Sequence, residues 1–277
     1  MARCDLCGLE AGILRKRHAA CEEKNKSGRA RAQALVASSL LLPTGPGNLM
    51  AQLDEIGKDS FINHIEQKFI ITQGWEKAVD AALEDGVLTV DEEQTLVKSA
   101  QGLSLTQQDL DTNGAYSRVA KAAVIRELLE GKLPQRVTVV GEVPFNFQKG
   151  ENLLWLFPGA TYLEQRMRTH YEGSYQGVSV RVARGLYYRT GGFRGRPVST
   201  AEMVNLGQGS FGITERHMYF SGPSKAFRVR YDKIVSFTAY SDGIGFQRDA
   251  QTAKPQVFIT GDGWFTYNLV VNLAKRL

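Results

Sequence analysis

The sequence has few cysteines and none after position 21, which excludes a fold held together by several disulfide bonds. Only three cysteines occur among 277 residues, and an odd number cannot form a complete set of pairs. The apolar segment at residues 35–42 is shorter than the roughly 20 residues that a membrane-spanning helix needs. We therefore expect no transmembrane segment, no secretory leader and a reducing cytoplasmic location.

The sequence also lacks the short motifs that mark common enzyme classes. It contains no phosphate-binding P-loop, no G-x-S-x-G nucleophile elbow and no H-E-x-x-H zinc helix. His64, His170 and His217 have no cysteine, paired carboxylate or nucleophile signature nearby in sequence. These absences favour a binding protein over an enzyme, although residues that are distant in sequence can still assemble a site.

The three cysteines and the fourth histidine have the spacing of a metal site. Cys4, Cys7, His18 and Cys21 follow the order C-x2-C-x10-H-x2-C, and two close pairs can each provide two ligands to one tetrahedral ion. Gly8 suits a tight knuckle after the first pair. A helix beginning near His18 would place His18 and Cys21 on one face, with the positive end of its dipole favouring a thiolate. We predict zinc.

This arrangement resembles treble-clef and related short zinc fingers over about the first 25 residues, and the resemblance implies a stabilising metal. Two other interpretations are three unrelated cysteines beside a surface histidine, or a redox pair formed by Cys4 and Cys7. The odd cysteine count and the ligand spacing favour zinc. Because all four ligands come from the protein, the metal is expected to be structural and not catalytic.

Charge is distributed unevenly along the chain. Residues 1–36 carry a net charge of +4, residues 37–135 carry −7 and residues 136–277 carry +8. Around the predicted finger, the basic side chains of Arg3, Arg15, Lys16 and Arg17 have two interpretations. They either balance the negative charge of a three-thiolate site or contact the phosphates of a nucleic acid.

Composition and periodicity predict an α+β multidomain protein of four segments. Residues 1–42 form the zinc finger and its following helix, and residues 43–48, which are rich in proline and glycine, form a linker. Residues 49–135 have apolar residues at helical spacing, Ile65 and Phe69 among them, and predict a bundle of four to six helices. Residues 136–277 predict a β-rich domain, an antiparallel barrel or sandwich closed by a C-terminal helix.

Local signals refine the helical segment. Thr89 with Glu92, and Ser104 with Gln107, have the spacing of capping boxes. The stretch at residues 84–93, an acidic helix end, an Asp-Gly turn and an acidic helix start, resembles the TerB-like domains of tellurite resistance across residues 60–135. That resemblance implies a bacterial stress or phage-conflict setting and, in some members, a divalent metal.

Asp109, Asp111 and Asn113 match the first half of an EF-hand calcium loop, but Ala120 stands where the closing glutamate belongs. We therefore predict a loop in which Asn113 caps the helix that follows, and no calcium site.

In the β-rich segment, apolar residues alternate at 178–182, 227–231 and 235–237, with turn signals at 191–192, 221–223 and 241–243. A final helix after Asp262 is predicted from an apolar stripe at Trp264, Leu269, Val270, Leu273 and Leu277. Residues 212–220, 233–237 and 240–244 resemble bacterial pleckstrin-homology-like or GRAM-like domains. This resemblance covers residues 175–277 and implies a fold more than a ligand.

A basic, glycine-rich stretch at residues 189–196 is predicted to be a hairpin loop that contacts phosphate. Glycines let backbone N–H groups approach an anion, and arginine presents a planar fork to phosphate. Further arginines on the solvent side of the strands extend the predicted anion-binding set to Arg181, Arg189, Arg194, Arg196, Arg228 and Arg230. An ordinary solvated surface explains the same residues equally well.

Together these features predict a non-enzymatic, zinc-containing adaptor. We expect it to bind a protein partner and an anionic phospholipid surface, which would place it at the periphery of a membrane. One alternative is a nucleic-acid-binding protein that uses the finger and the arginine-rich stretch. A second alternative is an enzyme with its site in the acidic helical segment.

Overall fold

The computed structural model describes residues 2–12, 16–40, 47–138, 141–183 and 186–276, with the backbone alone at residues 2, 12 and 169–198. Within these ranges the chain is a mixed α+β protein with seven α-helices and a seven-stranded antiparallel sheet. It divides into two units, Met1–Lys132 and Leu133–Leu277. The predicted four-segment division stays a prediction, and most of the linker at 43–48 lies outside the described residues.

The first unit begins with a small hairpin followed by a long helix. Strands β1 (Ala2–Arg3) and β2 (Glu10–Gly12) pair in antiparallel fashion, and helix α1 spans Ala19–Leu40. Although the sequence assigns this helix to the finger, its buried face contributes Ala32, Val36 and Leu40 to the core of the helical region. The hairpin is therefore joined to that core by one continuous helix.

Five further helices complete the helical region: α2 (Leu49–Ser60), α3 (His64–Ala82), α4 (Val90–Gly102), α5 (Gln107–Leu110) and α6 (Ala115–Leu129). The predicted helical character of residues 49–135 is confirmed. Trp75 lies at the centre of this region, 2% exposed, and its indole N–H donates to the carbonyl of Leu96 at 3.1 Å. Buried Trp rarely leaves its N–H unpaired, so this bond fixes the position of α4 against α3.

Close approach of the helices depends on glycine at the contact with α1. A Cβ added to Gly28 would lie 2.1 Å from the Ser60 Cβ, and one added to Gly74 would lie 2.1 Å from a methyl carbon of Val36. The first position lets α1 contact the end of α2, and the second lets α1 contact α3. No larger side chain fits at either position without moving a helix.

One of the predicted helix signals is confirmed and two are wrong. Thr89 and Glu92 form the expected capping box. The second box uses Thr106 and Asp109 in place of Ser104 and Gln107, because Ser104 adopts a left-handed backbone conformation after α4 ends. The start of α6 is capped by the Asp111 carboxylate and not by Asn113, whose amide donates to Glu76 instead.

The second unit is built on two very long strands. Strands β3 (Leu153–Ala183) and β4 (Leu186–Thr214) pair along their length. They are followed by β5 (His217–Ser221), β6 (Ala226–Arg230), β7 (Ile234–Ala239), β8 (Gly243–Arg248) and β9 (Gln256–Ile259). The sheet order is β6-β5-β4-β3-β9-β8-β7, and helix α7 (Gly263–Ala274) follows.

The expected loop at residues 189–196 is wrong, because the backbone of this stretch belongs to β4. The glycine pair at 191–192, interpreted as a turn, pairs with Gly177 and Gln176 of β3. Long-range pairing therefore overrides the local turn preference of glycine. The turn signals at 221–223 and 241–243 do separate strands.

Aromatic rings fill the space between the sheet and α7. Phe258 and Phe211 stack with their ring centroids 4.0 Å apart, and Phe265 of α7 meets Trp155 at 4.7 Å. Asp262 accepts a hydrogen bond from the Phe265 N–H and caps the helix. The predicted stripe on α7 is correct at Leu269, Val270 and Leu273 and wrong at Trp264, which is 58% exposed.

Candidate metal centre and basic cavity

The structure brings the four predicted metal ligands together at the end of the N-terminal hairpin. One ligand atom from each of Cys4, Cys7, His18 and Cys21 lies within 4.8 Å of all the others. His18 Nδ1 is 3.3 Å from Cys7 Sγ and 3.6 Å from Cys21 Sγ. A tetrahedral zinc site with ordinary bond lengths requires nitrogen-to-sulfur separations of about 3.6 Å, so the cluster is spaced to hold a metal ion.

A backbone knuckle prepares the first cysteine pair. The Gly8 N–H donates to the carbonyl of Cys4 at 2.9 Å, and Gly8 has a φ of +77°, which glycine adopts without strain. The Cys4 N–H in turn donates to the carbonyl of Leu9. The pKa of the Cys4 thiol falls to about 6, chiefly because the backbone N–H of Cys7 points at its sulfur.

The histidine is oriented by the second strand of the hairpin. Its Nε2–H donates to the carbonyl of Glu10 at 2.9 Å, which leaves the Nδ1 lone pair facing the sulfurs. Metal-binding histidines are commonly held in this way through the ring nitrogen that does not bind the metal. The bond to Glu10 is also the main cause of the raised pKa of His18.

Cys21 lies in the first turn of α1, where the sequence predicts the fourth ligand. Its pKa is raised to about 11, first because the thiol is removed from water and then because of Cys7. A bound cation would reverse this effect, since a metal stabilises the thiolate directly. Near the site, the Arg17 guanidinium lies 3.7 Å from the Asp5 carboxylate, so this arginine has a carboxylate partner on the knuckle.

In the stretch that matches the first half of a calcium loop, other protein groups contact both aspartate carboxylates. Asp109 accepts from the N–H and hydroxyl of Thr106, and Lys68 Nζ lies 2.8 Å from it. These contacts, with that of Lys68 the largest, lower the pKa of Asp109 to about 2. Asp111 accepts from the backbone N–H and hydroxyl of Ser117. Both carboxylates therefore have structural partners.

We expect millimolar calcium to leave the melting temperature and the helical circular dichroism signal unchanged, because the loop lacks a closing carboxylate. Differential scanning calorimetry with potassium chloride at matched ionic strength as the control tests this. A calcium-dependent rise in melting temperature that disappears in Asp109→Ala would contradict it.

In the second unit, the structure assembles a basic cavity of about 770 Å³. Arg228 and Arg230, two of the predicted anion-binding residues, are exposed on β6 and line it. The backbone of Arg181, Arg189, Arg194 and Arg196 lies in the long hairpin, and their side chains are outside what the structure describes. The other lining residues are Gln148, Lys149, Glu151, Arg216, His217, Val229, Lys233 and Arg248.

Sequence reasoning missed the cations at positions 149, 216, 233 and 248. Each has an acidic residue within two positions, Glu151, Glu215, Asp232 and Asp249 respectively, so no unbroken run of positive charge marks it. Only the alternation that leaves Arg228 and Arg230 on the solvent side of β6 pointed toward this surface. The pairing of β7 with β8 then places Lys233, which precedes Ile234, beside Arg248.

Comparisons with known proteins add no family to this description. No protein-family model matches the chain, and no curated protein matches it with significant similarity. In the described residues, no helix is long and apolar enough to cross a membrane.

Proposed function

We propose that this chain is a non-enzymatic adaptor in which a structural zinc ion stabilises the N-terminal unit and the basic C-terminal unit binds an anionic phospholipid surface. The observation that carries the proposal is the set of four protein ligands, Cys4, Cys7, His18 and Cys21, around one point. A catalytic zinc keeps a coordination position for water or substrate, whereas four protein ligands close the shell. The metal would therefore hold the hairpin to α1, and the helical region would remain available to a protein partner.

We also propose the finer family assignments on the basis of the fold. A treble-clef-type finger is supported by the knuckle, the hairpin and the helix that supplies the last ligand. A TerB-like helical domain is supported by the helical region, and a pleckstrin-homology-like domain by the seven-stranded antiparallel sheet with its following helix. A setting in bacterial stress or phage conflict belongs to the same proposal.

The enzymatic alternative has less support. Several acids of the helical region hold structural contacts: Asp80 pairs with Arg118 at 2.6 Å, and the Glu93 carboxylate is paired with Arg126. A carboxylate held in an ion pair is poorly placed to act as a general acid or base, because that role requires it to exchange a proton with the substrate.

The surface-binding part is tested by vesicle co-sedimentation of the full chain. We expect the chain to bind vesicles that contain phosphatidylserine and not vesicles of phosphatidylcholine alone. Arg228→Glu/Arg230→Glu should lose at least fivefold in affinity, because each Lys or Arg close to an anionic membrane surface contributes about 1 kcal/mol to binding. Lys16→Glu/Arg17→Glu, which makes the same charge change on the finger, is the matched control and is expected to bind as the unaltered chain does.

Nucleic-acid binding makes the opposite prediction. It would give DNA affinity with a steep salt dependence, about 0.9 in the logarithmic slope for each neutralised phosphate, and the slope would fall in Lys16→Glu/Arg17→Glu. That result, together with no vesicle binding, would replace the proposal.

A further inference from the structure

The basic cavity of the C-terminal unit has the composition of a binding site for a highly charged ligand. Six cationic side chains line it, those of Lys149, Arg216, Arg228, Arg230, Lys233 and Arg248, against one carboxylate, that of Glu151. Among the residues that the structure describes, Val229 is the one aliphatic residue of the lining, and no Phe, Tyr or Trp takes part. Charged side chains therefore dominate the described lining of this cavity.

The single carboxylate does not neutralise these cations. The Glu151 side chain is fully buried and accepts hydrogen bonds from the Tyr219 hydroxyl, at 2.6 Å, and from His217 Nδ1. These contacts commit its oxygens to the floor of the cavity. Arg230 lies 2.9 Å from Asp232, whereas Lys149, Arg216, Lys233 and Arg248 form no ion pair with any residue that the structure describes.

Arg248 is the most enclosed arginine among the cations named above. The Nε of Arg248 is buried and has no hydrogen-bond partner in the described part of the chain. A buried guanidinium nitrogen without an acceptor is costly, and Arg248 lines the cavity. A ligand in the cavity would reach this guanidinium at its terminal nitrogens, because Nε itself is covered by protein atoms.

One neighbouring arginine is already held in place. With its amide oxygen turned toward Arg228, Gln148 accepts from both terminal nitrogens of that guanidinium, at 3.1 and 2.7 Å. The backbone N–H of Gln148 donates to the Tyr219 hydroxyl at 3.2 Å, so the same residue ties Arg228 to the buried Glu151 network. This arginine therefore loses less freedom when it binds a ligand.

We propose that this cavity binds a compact ligand carrying two or more phosphate groups, either a free polyphosphorylated polyol or the same group as a lipid headgroup. A planar guanidinium matches phosphate through two parallel hydrogen bonds, which an ammonium cannot form. The cavity, at about 770 Å³, has the size of a site for a drug-sized ligand and exceeds what one phosphate group needs, and six cations line it. The lipid form of the ligand rests on the proposed function of the C-terminal unit.

Isothermal titration calorimetry of the full chain with inositol hexakisphosphate tests the free form. Arg216→Glu/Lys233→Glu alters two exposed side chains of the cavity and is expected to weaken binding at least tenfold. Lys254→Glu/Lys275→Glu makes the same charge change at exposed positions outside the cavity and is expected to weaken it less than threefold. Equal losses in the two pairs would show attraction to net charge alone and would overturn the proposal.

The variant Arg248→Lys separates the contribution of the planar guanidinium from that of its positive charge. It keeps the cation and removes the Nε–H and the planar fork, so we expect at least a fivefold weaker affinity for the same probe, together with a smaller ligand-induced rise in melting temperature. Unchanged affinity in this variant would show that the guanidinium of Arg248 takes no part in binding.

The lipid form is tested with vesicles that contain either phosphatidylinositol bisphosphate or phosphatidylserine at equal total charge. Preference for the first, lost in Arg216→Glu/Lys233→Glu, supports a headgroup. Binding to inositol hexakisphosphate without vesicle binding supports the free ligand and removes the membrane part of the proposed function. Equal binding to both vesicles, unchanged in the variant, leaves the proposed function standing and overturns the cavity as its site.

Discussion

Replacing Cys7 with serine is expected to reduce the bound zinc from about one ion per chain to nearly none, because the shell loses one of its four protein ligands. The hairpin and the first turn of α1 should then unfold locally. Val36 lies fifteen residues beyond Cys21 in the same helix, which corresponds to about 22 Å along its axis. The buried contacts of Val36 and Leu40 should therefore survive.

Elemental analysis of protein purified without chelator measures the first effect, and amide hydrogen exchange of the first 25 residues measures the second. Asp5→Asn is the control, since it also removes one negative charge from the knuckle but no ligand, and it should retain the ion. Unaltered protein that contains no zinc, or a Cys7→Ser variant that retains it, would refute the assignment.

Truncating Phe258 to alanine is expected to lower the free energy of unfolding of the C-terminal unit by about 3–5 kcal/mol. The side chain is fully buried and lies at the centre of the aromatic core. Its ring centroid is 4.0 Å from that of Phe211 and 5.3 Å from those of Tyr162 and Phe220. The cavity left by the ring would remove contacts from strands on both sides of β3, so the sheet should lose cooperativity.

Urea unfolding followed by circular dichroism measures this change. Val235→Ala on β7, where the side chain is 62% exposed, should change the free energy of unfolding by less than about 0.5 kcal/mol. All four metal ligands belong to the unit Met1–Lys132, so the zinc content of Phe258→Ala should be unchanged. A destabilisation below about 1 kcal/mol would contradict the place of Phe258 in the core. Loss of zinc would contradict the expectation that the metal cluster does not depend on the fold of the C-terminal unit.

The signals that could be predicted from the sequence share one property, which is that they depend on residues close together in the chain. Thr89 and Glu92 stand three residues apart, the distance that a capping box requires, and Asp262 stands next to the helix it caps. The alternation on β6 correctly places Arg228 and Arg230 on the solvent side. Each depends on backbone geometry within one turn or one strand.

The predictions from sequence were wrong where contacts with residues distant in the chain override the local conformational preference. Residues 189–196 contain the glycines of a turn, yet their backbone pairs with Glu172–Ser179 across the hairpin. Ile65 and Phe69 fit an apolar helical stripe, yet they are 83% and 62% exposed. Helical spacing predicts which residues share a face, whereas the packing of the neighbouring helices decides which face is buried.

The two candidate sites show the same division. The sequence alone determined the candidate metal-ligand set, because Cys4, Cys7, His18 and Cys21 lie within one hairpin and one helical turn, where the spacing limits the possible geometry. Only the tertiary structure decided the basic cavity, because its cations come from positions between 149 and 248 and meet through strand pairing. A cation's position in a folded sheet depends on register and on the path of the chain between strands, and neither is encoded in its immediate neighbours.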